Sequence, residues 1–104
     1  MRRFLEIADA FARQSNHSKH KMAAVLVRGG AVVAKATNKQ RWGDHAERRA
    51  LRGIKNTHKL VLYIARHGGK ASRPCSECLA IIRSVGIKKI VYFDWLGQIT
   101  TEKL

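Results

Sequence analysis

The sequence predicts an α/β domain in three layers: a central mixed sheet of 4–5 strands flanked by helices. Three observations carry this. Two nearly continuous apolar runs, Ala23 to Val27 and Ala31 to Ala34, are split by Gly29-Gly30. Two later apolar runs, Lys59 to Arg66 and Lys88 to Phe93, each follow a segment whose apolar residues recur at helical spacing. An amphipathic segment, Arg2 to about Ser15, precedes them all.

Each element has its own signal. In the first helix Phe4, Ala8, Phe11 and Ala12 recur at helical spacing, with Arg3, Glu6, Asp9 and Arg13 elsewhere. Asn16 to Lys21 is polar and reads as a loop. Gly29-Gly30 suits a tight hairpin, because glycine tolerates positive φ. The apolar character of both hairpin strands predicts helices over both faces. Thr37 to Gly43 reads as a loop. A second helix begins near His45, with Ala46, Ala50, Leu51 and Ile54 on its inner side. A third strand and the basic loop His67 to Arg73 follow. Pro74 is placed to open the third helix, where no backbone donor is needed. Cys75, Cys78, Leu79, Ile82 and Val85 share one helical face, and Gly86 ends that helix. After the fourth strand, Asp94 to Gly97 suits a turn, with Gln98 to Thr101 returning as a short antiparallel strand. The alternative for this end is a frayed tail.

At 104 residues, the expected organisation is a single domain, 1–104. No stretch approaches the ~20 apolar residues of a membrane span. Acidic Glu6 and Asp9 interrupt the start, which argues against a secretory signal. Two closely spaced cysteines without an export signal favour thiolate ligands in a reducing, cytoplasmic setting. The net charge is +14, from 21 Lys and Arg against 7 Asp and Glu. No acid lies between Asp9 and Asp44, nor between Glu47 and Glu77. This balance favours a phosphate-bearing partner, without saying how many phosphates it carries.

The chemistry concentrates in His45-Ala46-Glu47 and Pro74-Cys75-Ser76-Glu77-Cys78. His45, Cys75 and Cys78 offer three N and S donors, which suits zinc with an open fourth position. Zinc lowers the pKa of a water in that position to about 7. Glu47 then stands ready to move protons. Alternatives remain at this level. A fourth ligand from His17, His20, His58 or His67 would make the zinc structural. The cysteines would then be ligands without catalysis; a metal-free core Cys pair is a separate alternative. Asp44 and Glu47 also fit a capping pattern at a helix start.

The paired motif matches H-x-E…P-C-x-x-C and resembles the zinc-dependent nucleobase deaminases. The chain looks like a compact member of the cytidine and deoxycytidylate deaminase superfamily over roughly Ala23 to Phe93. Cys78 to Tyr92, an isoleucine-rich helix followed by Gly86-Ile87-Lys88 and a strand ending in Tyr, looks most like deoxycytidylate deaminases. The resemblance implies a cytidine-deaminase-like fold, Zn2+ on His45, Cys75 and Cys78, and Glu47 as catalytic proton shuttle. It implies hydrolytic deamination of a cytosine nucleoside or nucleotide, dCMP favoured, with release of ammonia. It also implies that Asn38 bonds the sugar, that the Ala46 N–H meets the ring carbonyl, and that the chain forms a homo-oligomer.

From the residues themselves, Trp42 is a candidate for stacking on the base, with Trp95 behind it. Arg73, with Lys39, Arg41 and Lys70, is a candidate for holding phosphate. Two features depart from the family's pattern. Only Asp94 to Leu104 follow the fourth strand, and Ser72-Arg73-Pro74-Cys75 replaces the common Thr-x-x-Pro-Cys form. Two further readings fit the charge: deamination of cytosine or adenine within single-stranded DNA or RNA, and a basic nucleic-acid-binding module with structural zinc.

Overall fold

A computed structural model of the chain describes residues 2–16, 20–38 and 45–104. The elements run α1 (Arg2–Ala12), β1 (Met22–Arg28), β2 (Ala31–Thr37), α2 (Ala46–Leu51), β3 (Val61–Arg66), α3 (Ser76–Ser84), β4 (Lys89–Phe93) and β5 (Ile99–Lys103). The five strands form one sheet in the order β2-β1-β3-β4-β5. Only the β3–β4 pair is parallel; the other neighbours are antiparallel. The expected α/β fold with a mixed sheet between helices is therefore the observed one.

Strand alternation divides the core in two. Successive side chains of a strand point to opposite faces. Ala23, Val25 and Val27 of β1, with Tyr63 and Ala65 of β3 and Val91 of β4, meet Leu5, Ala8 and Ala12 of α1 on one face. Ala24, Leu26, Leu62, Ile64, Ile90 and Tyr92 meet Ala46, Ala50, Leu79 and Ile82 of α2 and α3 on the other. The expected stripe of α1 is present, and Leu5 and Ile7 join it.

β1 behaves as its continuous apolar sequence predicts, with both faces covered. β2 does not. It is an edge strand, and its hairpin half is open: Val32 is 41% and Val33 45% exposed. An edge strand has a partner on one side only, so apolar composition alone does not bury it. The turn itself is as expected, with Gly29 at φ 59 and Gly30 at φ 78.

Three further expectations are corrected at the helix ends. α2 stops at Leu51, so Ile54 reaches the core from a loop and not from the helix. Pro74 does not open α3; it lies outside the N-cap, which is Cys75. Val85 is the C-cap and is exposed. Its expected place in the core goes to Ile87, because the chain reverses at Gly86 (φ +92) and the Ile87 N–H returns to the Ile82 carbonyl.

The C-terminal ambiguity is resolved. β5 pairs antiparallel with β4 from Phe93↔Ile99 to Lys89↔Lys103, and Asp94 to Gly97 turns between them. The Asp94 carboxylate accepts the N–H groups of Leu96 and Gln98 at 2.9 Å each. In β5, Glu102 accepts bonds from Arg73 Nε and Nη2 at 3.1 Å and from the Tyr92 hydroxyl at 2.8 Å. The Arg73 guanidinium, with the Tyr92 hydroxyl behind it, holds the Glu102 carboxyl below its ordinary value.

Candidate active site

The site forms where α2 and α3 begin. His45 is the N-cap of α2 and Cys75 the N-cap of α3. Such positions usually carry a Ser, Thr, Asp or Asn whose side chain caps the helix. Neither His45 nor Cys75 makes a side-chain cap bond. Both instead converge with Cys78, one turn into α3. The donor atoms of His45, Cys75 and Cys78 all lie within 4.8 Å of one another. Donors around a tetrahedral zinc stand about 3.6 Å apart. One imidazole and two thiols at this spacing fit that ion, with one position left over.

The described fourth-ligand alternatives, His20, His58 and His67, do not join the donor group. His20 Nδ1 faces Arg66 at 2.6 Å, and His67 Nδ1 lies 3.6 Å from Asp9. His17 lies outside the described residues, as do Lys39, Arg41, Trp42 and Asp44. Among the described residues, only His45, Cys75 and Cys78 form such a cluster.

Glu47 is 3% exposed. Burial pushes its carboxyl above the ordinary value; its own N–H, His45 and the Cys78 thiol oppose this. The capping-box reading fails in this geometry, since the N-cap is His45 and Glu47 bonds its own N–H. In the metal-free protein, burial, then the Glu47 charge, pushes the Cys78 thiol up to about 12. A bound cation reverses that balance and holds a thiolate.

Sequence reasoning missed two residues here. Arg48 stands beside the Cys78 sulfur and donates at 3.2 Å to Glu77 Oε2, so a guanidinium backs the donor cluster. Its signal was the three-residue interval from His45, which places both on one side of α2. Ser72 is buried between β3 and β4, beyond their paired rungs Leu62↔Ile90 and Tyr63↔Val91. Its hydroxyl donates to the Ile64 carbonyl at 2.8 Å and accepts the Phe93 N–H at 3.0 Å. It thus holds apart the parallel strands and anchors the loop that delivers Pro74-Cys75. No sequence signal separates it from other loop serines. Ser72→Ala should cost about 1–3 kcal/mol, the price of unsatisfied buried groups, and lower Tm by roughly 4–8 °C per kcal/mol. Calorimetry showing an unchanged Tm would contradict this anchoring role.

The expected substrate residues are placed unevenly. Ala46 is fully buried at the first position of α2, where a helix leaves its N–H groups without intrahelical partners. Asn38 is buried at the end of β2. Its Oδ1 accepts from Ser15 Oγ at 2.6 Å and the Met22 N–H at 3.0 Å, and its Nδ2 donates to the His20 carbonyl at 2.6 Å. The amide is thereby held rigidly, and its valence leaves one N–H for a ligand. Arg73 is turned onto Glu102 rather than standing alone.

Known proteins share this fold. The chain resembles the crystal structure of a dCMP deaminase from the cyanophage S-TIM5 in apo form (TM-score 0.69, 23% identity, covering 86% of this chain and 78% of that one). The same phage enzyme in complex with dCMP and dUMP gives a TM-score of 0.69 at 22% identity, over 86% and 76% of the two chains. A cytidine deaminase from Burkholderia pseudomallei gives 0.76 at 20% identity, over 98% and 91%. At these identities the likeness shows a shared fold. No curated protein sequence matches the chain. The pattern that defines the cytidine and deoxycytidylate deaminase zinc-binding region matches residues 1–94, and the chain belongs to that family.

Proposed function

We propose that this protein hydrolyses the C4 amino group of a cytosine nucleoside or nucleotide, dCMP favoured, giving the uracil product and ammonia. The observation that carries the reading is the cluster of His45, Cys75 and Cys78 with buried Glu47 against it and no fourth donor among the described residues. Zinc held by these three residues supplies Lewis acidity and makes hydroxide available near neutral pH. Glu47 takes the proton from water, passes it to the ring nitrogen, and serves the departing ammonia in turn. Its burial excludes competing solvent. The Ala46 N–H addresses the ring carbonyl, and the remaining Asn38 N–H addresses the sugar. Trp42 stacks on the base, and the basic loop carrying Arg73 meets phosphate.

The preference for a nucleotide is supported by the net charge of +14 and by the phage relative crystallised with dCMP and dUMP. Ammonia release from zinc-loaded protein should be measured on cytidine, deoxycytidine, dCMP, dCTP and adenosine. The expected result is turnover of the cytosine compounds, with the highest kcat/KM for dCMP. Turnover of adenosine alone, or of none, would overturn the proposal.

A further inference from the structure

Trp95 is 93% exposed and Leu96 81%, at the tip of the β4–β5 turn. Neither side chain serves the core. The turn is nevertheless rigidly built. Asp94 accepts the Leu96 and Gln98 N–H groups, and the Gly97 N–H returns to the Asp94 carbonyl at 3.0 Å. Behind Trp95 lies an open cavity of about 480 Å3, lined by Arg66, Arg73, Pro74, Tyr92, Phe93 and Asp94 among others. Pro74, which lines the cavity, directly precedes Cys75 of the donor cluster in the chain, so the cavity lies next to the start of α3.

Its charges are arranged asymmetrically. The two acids nearby are engaged, Asp94 by its own turn and Glu102 by Arg73 and Tyr92. The Arg66 guanidinium has five N–H donors, one of which meets His20, and Lys70 lies across from it, bridged backbone to backbone. An exposed aromatic face beside cationic groups is the arrangement that stacks a base and neutralises its phosphate, without reading sequence.

We propose that the Trp95 turn and the adjoining cavity hold the nucleotide next to the target cytosine, so that a single-stranded polynucleotide is a better substrate than dCMP, the one favoured above among the small compounds. This rests on the deaminase reading above. The reaction is the same hydrolysis; the turn adds binding to a neighbour that a mononucleotide lacks. A mononucleotide would leave Trp95 unused.

Two measurements test this. In the first, kcat/KM is compared for dCMP and for a short thymidine oligonucleotide containing one deoxycytidine, at low salt. The oligonucleotide should exceed dCMP by at least about tenfold. Trp95→Ala should remove most of that ratio, since one stacked base contributes roughly tenfold, and Trp95→Phe should restore much of it. Turnover of dCMP with none of the oligonucleotide, or a ratio indifferent to Trp95→Ala, would overturn the proposal. In the second, binding of an all-thymidine oligonucleotide is followed by anisotropy, which needs no turnover. Binding should weaken roughly tenfold in Trp95→Ala, and log Kd should rise with log salt by about 0.7 per phosphate contacted. An unchanged Kd in Trp95→Ala would overturn the subsite even in an active deaminase. An inactive protein with the expected binding pattern would instead count against the deaminase reading alone.

Discussion

Glu47→Gln is expected to keep its zinc and lose its reaction. The amide matches the carboxylate in size, so the buried pocket stays filled. It can neither take a proton from water nor return one to the ring. General acid–base groups typically contribute 10²–10⁴-fold, and Glu47 is asked to serve at two points of the reaction, so a loss of at least about 10³-fold in kcat is expected. Metal analysis should still find one zinc per chain, because the proposed donors are His45, Cys75 and Cys78, which cluster without Glu47. Turnover within tenfold of the parent would remove Glu47 from its catalytic role. Loss of zinc would make it a ligand instead.

Removing a donor should act differently. Cys78 is fully buried at the third position of α3, between Glu47 and Arg48. Cys78→Ala is expected to bind less than about a tenth of the parent's zinc and to show no turnover. Ligand binding stabilises by mass action, and zinc present at a thousand times its Kd adds about 4 kcal/mol. For a domain of this size that is on the order of 15 °C in Tm or more. The substitution also opens a small void, so the decisive comparison uses a chelator. Chelation should lower the parent's Tm most of the way to the variant's and leave the variant's unchanged. Full zinc content in Cys78→Ala, or a parent Tm indifferent to chelation, would contradict the assignment of this donor.

Much of this molecule was legible in its residues, for identifiable reasons. Helical spacing in α1 and α3 and the apolar runs of β1, β3 and β4 are local patterns. They need no knowledge of neighbours, and the folded chain carries each of them. The cluster of His45, Cys75 and Cys78 was legible too, because His45 and the Cys75–Cys78 pair are separate short motifs whose spacing suits a shared ligand. Errors gathered where a residue's fate depends on what packs beside it. Val32 and Val33 look as buried as Val25, yet they sit on an edge strand. Val85 keeps the α3 rhythm, but the turn at Gly86 hands its place to Ile87.

The same division runs through the site. The sequence by itself determined which groups exist: three N and S donors, one carboxylate beside them, and an excess of positive charge. These are properties of residue type and spacing, and folding does not alter them. Only the tertiary structure decided how each group is used. It buries Glu47, which raises its proton affinity. It occupies most of the Asn38 amide with Ser15, Met22 and His20, residues distant in the chain. It turns Arg73 onto Glu102 across β4 and β5, and leaves Trp95 in solvent on a braced turn. Hydrogen bonds and burial join residues that no local pattern connects, so desolvation and pairing, unlike identity and spacing, appear only once the chain is folded.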